Sequence, residues 1–182
     1  MNKLIILYLV LSILFFQKAN AGNWKFNEKE SFVIFIAKNL GMSVSGKISG
    51  MKVSGNYNSE NVFASNFIGS IDIATIDTKI SMRDNHLKSS DYFDIKKYPK
   101  ITFKSQEIKE SGSVLKVIGD VTIKGVTKEI EIPFVIQKNG NKHTFVGDVT
   151  IQRKDFELGS NTTLIMADVI KVRIFAVFED VQ

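Results

Sequence analysis

The stretch "VLKVIGDVTIKGVTKEIEIPFVIQKNGNKHTFVGDVTIQ", residues 114–152, alternates apolar and polar positions along three successive segments. In the first segment, apolar or glycine positions recur every second residue from Leu115 to Ile123, with polar residues between them except at Ile118. The segments 128–138 and 143–152 repeat this alternation, and short turns containing glycine or asparagine separate the three. A period of two joined by tight turns predicts antiparallel hairpins with one buried face.

The same alternation predicts further strands, at residues 31–38, 43–57, 61–76, 100–109 and 168–178. A total of about eight strands, with no segment suited to a long helix, predicts an all-β fold. Because an open sheet leaves its edges exposed, we expect this one to close into an eight-stranded antiparallel barrel. The mid-strand glycines then mark bends or places that need internal space, at Gly46, Gly69, Gly119 and Gly147.

The first 21 residues have the layout of a secretory signal peptide. Lys3 precedes the apolar run Leu4 to Phe16, and Ala19-Asn20-Ala21 offers a small-residue cleavage site. The 13 residues of that run are fewer than the roughly 20 that span a membrane. We therefore expect residues 1–21 to be removed and residues 22–182 to form one domain that does not span the membrane. A retained N-terminal anchor is the alternative.

Charge and composition exclude several classes of protein. Removal of residues 1–21 takes away Lys3 and Lys18 and no acid, so the net charge falls from +5 to +3. The basic residues are spread along the chain without a block, which argues against nucleic-acid binding. The chain has no cysteine, so a disulfide framework, thiol chemistry and thiolate zinc sites are excluded.

Two kinds of barrel fit eight strands. A membrane barrel turns apolar side chains outward, but here the non-core face carries lysine, glutamate, aspartate and glutamine along whole strands. A barrel with an apolar interior is therefore favoured. Such an interior is either filled by its own side chains or holds one small ligand, and the pattern leaves both alternatives open. The mid-strand glycines favour a cavity.

The segment "MRDNHLKSSDYFD", residues 82–94, concentrates polar residues around His86. A metal site would use His86, Asp84 and Asp91 as ligands, joined by His143, yet the spacings of two and five residues around His86 do not place its neighbours on one helix face. No glycine-rich phosphate loop or G-x-S-x-G sequence supports catalysis. The favoured interpretation is one or two short helical turns, begun by Ser81 as N-cap, that cover an opening of the barrel. Four polar residues would hold this lid by hydrogen bonds and ion pairs, namely Arg83, Asp84, His86 and Asp91.

The order of four motifs resembles the YceI-like, polyisoprenoid-binding proteins of bacteria. The motifs are "FVIFIAKNLGMSVSGKISG" (32–50), "IDTKISMRDNHLKSSDYFDIKKYPKITFKS" (76–105), "GDVTIKGVTKEIEIPF" (119–134) and "RKDFELG" (153–159). They extend over almost all of residues 22–182.

The resemblance implies an extended lipocalin-like barrel in the periplasm, with secretion beyond it as the alternative. It also implies a long isoprenoid or similar amphiphilic lipid as ligand, such as a polyprenyl, quinone-like or fatty amide chain. The resemblance also implies a homodimer, and it implies no catalysis, metal or cofactor. Two other functions stay open: a secreted interaction protein with a packed core, and a lipid-modifying enzyme using His86 as base and Asp84 as its orienting partner.

Strand parity and the predicted lid select the side chains that would line an apolar tunnel. They are Val33, Phe35, Phe67, Ile71, Ile73, Met82, Leu87, Phe93, Phe103, Leu115, Val117, Val121, Ile132, Phe134, Phe145 and Ile174. His143 shares the parity of Phe145 at a strand end and is expected at the solvent-exposed rim.

Overall fold

A computed structural model describes residues 24–56, 58, 61–111, 114–159 and 166–180. The predicted signal segment 1–21 and its cleavage site lie outside the described residues. The strands are β1 (Trp24–Phe26), β2 (Phe32–Asn39), β3 (Met42–Ile48), β4 (Lys52–Asn56), β5 (Asn66–Asp72), β6 (Lys100–Ser111), β7 (Val114–Ile123), β8 (Val126–Asn139), β9 (Lys142–Gln152) and β10 (Val169–Asp180). The helix α1 spans Ser81–Lys88, and 3-10 turns occupy Val62–Ala64, Ile73–Thr75 and Arg153–Phe156.

All ten strands belong to one antiparallel sheet, which confirms the predicted all-β class. The sheet runs in the order β3-β2-β10-β9-β8-β7-β6-β5-β4, and β1 pairs with β10 beyond the end of β2. Short hairpins connect β2 to β3, β7 to β8 and β8 to β9. The three segments of residues 114–152 thus form the adjacent strands β7, β8 and β9.

The predicted number of eight strands is wrong for two local reasons. The predicted strand 43–57 divides into β3 and β4, because Gly50 takes a left-handed φ of +68° and the Ser49 amide bonds the Thr75 hydroxyl at 2.9 Å. The three residues of β1 are too few to show an alternation in sequence.

The seam of the curled sheet lies between β3 and β4, and no ladder pairs these two strands among the described residues. The chain that follows β5 fills this seam. Lys47 and Asp77 exchange two backbone hydrogen bonds of 2.9 Å, and the Thr75 hydroxyl donates to the Ser49 carbonyl. The predicted complete closure is therefore corrected to a curled sheet sealed by an irregular segment.

Strand direction divides the connections between two ends of the molecule. We call one the α1 end, which carries the Leu40-Gly41 and Lys124-Gly125 turns, the segment 73–99 with α1, and residues 153–159 and 166–168. The other is the aromatic end, where Trp24, Phe67, Phe134, Phe145 and Phe178 pack together. The model has no helix, within the ranges it describes, that is long and apolar enough to cross a membrane.

Candidate functional site

A cavity of about 290 Å³ lies inside the curled sheet, between the aromatic end and α1. Its wall is almost entirely apolar because inward-facing positions of every strand except β1 contribute to it. Thirteen of the predicted lining residues do lie on this wall: Val33, Phe35, Phe67, Ile71, Leu87, Phe93, Phe103, Val117, Val121, Ile132, Phe134, Phe145 and Ile174. Their role in holding a ligand stays a prediction.

Three predicted lining residues lie elsewhere. Met82 is 83% exposed, because it lies five positions before Leu87 in the helix and points roughly 140° away from it. Ile73 follows the end of β5, so strand parity no longer applies, and it is buried in a side cluster with Ile48 and Ile76. Leu115 packs against the cluster at the aromatic end, beyond the cavity.

Parity also identifies lining residues that were not singled out from the sequence. Val149 and Ile151 share the face of Phe145 and reach the cavity, as do Val172 and Ala176 beside Ile174. Leu158 and Met166 line it from irregular segments after β9, where no periodic signal marks them.

The inward-facing glycines serve different purposes. A Cβ at Gly46 would stand 2.3 Å from the Phe35 ring, and one at Gly147 would meet Ile132 at 2.9 Å. At Gly69 a Cβ would approach only the Lys52 carbonyl, at 3.9 Å. Gly69 therefore borders open space in the cavity, whereas the space at Gly46 is occupied by an aromatic ring.

Arg153 is a buried cation at the α1 end of the cavity, and no pattern in the sequence indicates this role. It is 2% exposed and donates through Nη1 to the Leu158 and Gly159 carbonyls at 2.8 and 2.7 Å. Its Nη2 lies 3.0 Å from the Asp168 carboxylate. The guanidinium thus joins the two chain segments that flank residues 160–165 and is committed to structural contacts.

Helix α1 is anchored through Thr78. The Asp84 carboxylate accepts from the Thr78 amide at 2.8 Å and from its hydroxyl at 2.6 Å. Arg83 donates to the same hydroxyl and to the Thr78 carbonyl, both at 2.8 Å. Ser81 is the first helical residue and not the N-cap, since Ile80 takes the cap position without a side-chain bond.

The other two predicted lid residues do not join this network. His86 is exposed and places its ring edge-on to Tyr92, with 4.9 Å between the ring centroids. Asp91 contributes its backbone carbonyl to the Gly159 amide at 2.8 Å. The expectation that all four side chains are tied together is thus wrong: Arg83 and Asp84 each bind Thr78. No group of three or more potential metal ligands occurs in the part of the chain that the model describes.

The aromatic end is sealed by stacked rings. Trp24 of β1 stacks on His143 at 3.8 Å, and His143 Nε2 lies 2.9 Å from the Asp180 carboxylate. His143 is buried, which corrects its expected position at a solvent-exposed rim. The signal that was missing is β1, whose tryptophan covers the ring.

Comparisons with known proteins agree with this architecture. UPF0312 protein VC_A0539 of Vibrio cholerae is 32% identical over 161 residues, which are 81% of this chain and 82% of that protein. The crystal structure of Burkholderia cenocepacia BcnA superposes with a TM-score of 0.79 at 26% identity, covering 84% of this chain and 99% of that one.

A polyisoprenoid binding domain from Saccharophagus degradans shares the fold with a TM-score of 0.65 at 14% identity, over 87% of this chain and 98% of that one. The model of the YceI-like domain matches residues 24–178, from β1 to the end of the aromatic cluster in β10. This match covers most of the chain and agrees with the curled sheet and its cavity. The chain therefore belongs to the YceI-like domain family.

Proposed function

We propose that this protein binds the hydrocarbon chain of a long isoprenoid or similar amphiphilic lipid and carries it through the periplasm. The observation that carries the proposal is the apolar cavity, whose wall extends from the rings of the aromatic end to Leu87 of α1. The Saccharophagus degradans domain with the same fold is described as polyisoprenoid binding, and this supports the choice of ligand class.

Apolar burial supplies the driving force for such binding. Each methylene transferred from water to the cavity contributes about 0.8 kcal/mol, and ordering of the chain offsets part of the sum. The wall offers few polar groups, because Arg153 is occupied by backbone carbonyls and Asp168. We therefore expect the protein to recognise the hydrocarbon chain of the ligand by its shape and by apolar contacts.

Binding without catalysis is part of the proposal. A lipid-modifying enzyme would need His86 and Asp84 directed at a ligand, yet Asp84 accepts from Thr78 and His86 lies exposed beside Tyr92. We expect His86→Gln to leave lipid retention unchanged. Loss of turnover of an exogenous lipid in this variant, with retention intact, would instead favour the enzyme.

The decisive experiment is extraction of lipid from protein purified under non-denaturing conditions, combined with native mass spectrometry. We expect a mass increment that disappears in organic solvent and is recovered as a long-chain lipid in the extract. A protein with no bound lipid that also fails to take up farnesol or the fluorescent fatty acid cis-parinaric acid would overturn the proposal. It would favour an interaction protein.

A homodimer belongs to the same proposal and is supported by the outer surface. Val135, Val146, Phe175 and Phe32 are cross-strand neighbours in one row on the outside of β8, β9, β10 and β2. The rings of Phe32 and Phe175 stack at 4.8 Å, and an apolar row of this kind favours a contact with another copy. We expect Phe175→Lys to convert a dimer to a monomer in light scattering, and a wild-type monomer would contradict this.

A further inference from the structure

Two segments at the α1 end expose large apolar side chains next to cations: the β2–β3 hairpin, and the start of α1 with the two residues before it. In Lys38-Asn39-Leu40-Gly41-Met42, Leu40 is 65% and Met42 68% exposed. In Lys79-Ile80-Ser81-Met82-Arg83, Ile80 is 51% and Met82 83% exposed. We call Leu40, Met42, Ile80 and Met82 the apolar rim.

Leu40 contradicts local turn chemistry as well as solubility. It precedes Gly41 in a two-residue hairpin whose residues have φ of +51° and +77°, a geometry that favours asparagine or aspartate followed by glycine. The hairpin Lys124-Gly125 has the same signs of φ at the same end and carries a polar residue at this position. An apolar side chain that is unfavourable for both the turn and water indicates a functional requirement.

Both segments are linked to residues that line the α1 end of the cavity. Asn39 bridges to Met166, and the Ala167 amide bonds the Lys38 carbonyl at 2.8 Å. Met166 lines the cavity and its sulfur receives the Tyr92 hydroxyl at 3.7 Å. Ile80 caps α1, whose Leu87 also lines the cavity. These contacts place the apolar rim beside the α1 end of the cavity.

We propose that the apolar rim docks on the surface of an anionic phospholipid bilayer, so that the cavity exchanges its ligand with the membrane. This inference rests on the proposed function for its purpose, though the docking itself is measured separately. Exposed apolar side chains on two separate segments suit insertion between headgroups. Lys38 is exposed beside Leu40, and Lys79 next to Ile80 extends into solvent while paired with Asp77 at 2.6 Å. These cations favour anionic headgroups.

The test is vesicle co-sedimentation with phosphatidylcholine alone and with added phosphatidylglycerol. The sample for this test consists of residues 22–182, because the Leu4–Phe16 run would itself bind vesicles. It retains every described element. We expect binding that increases with phosphatidylglycerol and decreases with salt. Leu40→Asn and Met82→Ser should each lower the partition coefficient about tenfold, as expected for removal of one inserted side chain.

Leu40→Asn separates docking from folding, because asparagine suits the left-handed turn and should keep or raise the melting temperature. The matched control is Phe63→Asn, which removes a ring that is 52% exposed in the connection before β5, at the opposite end from α1. This variant should bind vesicles as the wild type does.

Equal losses in Leu40→Asn and Phe63→Asn, or absence of vesicle binding by the wild type, would overturn the docking proposal. A change in molar mass of the rim variants in light scattering would also overturn it and would make the rim a contact between copies. Uptake of cis-parinaric acid without vesicles is measured in parallel. Uptake without vesicle binding refutes docking alone. Vesicle binding by a protein that carries no lipid and takes up no cis-parinaric acid refutes the carrier function alone.

Discussion

Gly69 lines the cavity at a position where a side chain would reduce its free volume. Its Cβ direction leads into open space, whereas Phe35 fills the space beside Gly46. We expect Gly69→Leu to fold normally and to bind cis-parinaric acid at least tenfold more weakly, because about four carbon atoms would occupy the space of the ligand chain. Ile68→Leu, on the exposed face of the same strand, should bind as the wild type does. Undiminished binding by Gly69→Leu would place the ligand elsewhere.

Arg153 is the residue on which we expect the α1 end to depend for stability. Arg153→Met keeps an unbranched side-chain stem but leaves the buried carbonyls of Leu158 and Gly159 without their donor. We expect a loss of roughly 3 kcal/mol in the free energy of unfolding, measured by urea denaturation. Lys154→Met also removes a cation from Asp168 but strips no buried carbonyl, so its loss should be clearly smaller. Equal losses would assign the effect to the ion pairs alone.

At the scale of elements, α1 is held by a short and specific contact. Thr78 is buried, and Asp84 accepts from both its amide and its hydroxyl. We expect Asp84→Ala to lower the free energy of unfolding by about 1–3 kcal/mol, since a buried N–H loses its acceptor. Asn85→Ala, on the exposed side of the same helix, should have little effect in the same urea titration. No difference between the two would mean that the helix is held by apolar packing.

The stabilisation that Asp168 gives to the segment around Arg153 should decrease in acid. The pKa of Asp168 is lowered from its ordinary value of 3.8, first by the hydrogen bond from Lys154 and further by the charges of Lys154 and Arg153. Because the pKa in the folded protein lies below that in the unfolded chain, the carboxylate stabilises the fold fully above pH 3.8 and loses this effect as the pH falls through the lowered value. Asp168→Asn should therefore be less stable than the wild type at neutral pH. The difference in the free energy of unfolding should narrow as the pH falls below 3.8. A constant difference would contradict this assignment.

How far sequence predicts these elements depends on periodicity. The strands β7, β8 and β9 could be predicted because each alternates over ten or more residues, and parity correctly placed Val117, Ile132 and Phe145 on the cavity wall. Met82 was misplaced because helical rotation within α1, and not strand parity, sets its direction. Arg153 and Met166 lie in irregular segments whose contacts arise only when distant parts of the chain meet, so no local pattern reveals them.

At the scale of the whole molecule, the two ends have opposite character. Stacked rings of Trp24 and His143 cover the aromatic end, whereas the exposed side chains of Leu40 and Met82 lie at the α1 end. The one-sided placement of both the apolar rim and α1 gives the curled sheet a direction. If the protein binds a lipid as proposed, we expect the ligand chain to enter from the α1 end with its terminal methyl group leading.

We predict that the proposed binding depends on the length of the ligand chain, because the rings at the aromatic end would limit how far the chain can enter. Among saturated fatty acids, each added methylene should raise affinity about fourfold until the methyl group meets Phe145 and Phe178. Longer chains should gain nothing more, and their surplus carbons should stay at the α1 end. Titration of a homologous series by displacement of cis-parinaric acid would show this plateau, and replacing Phe145 with Ala should move it to longer chains. A continuous rise with no break would mean that the rings yield to the ligand.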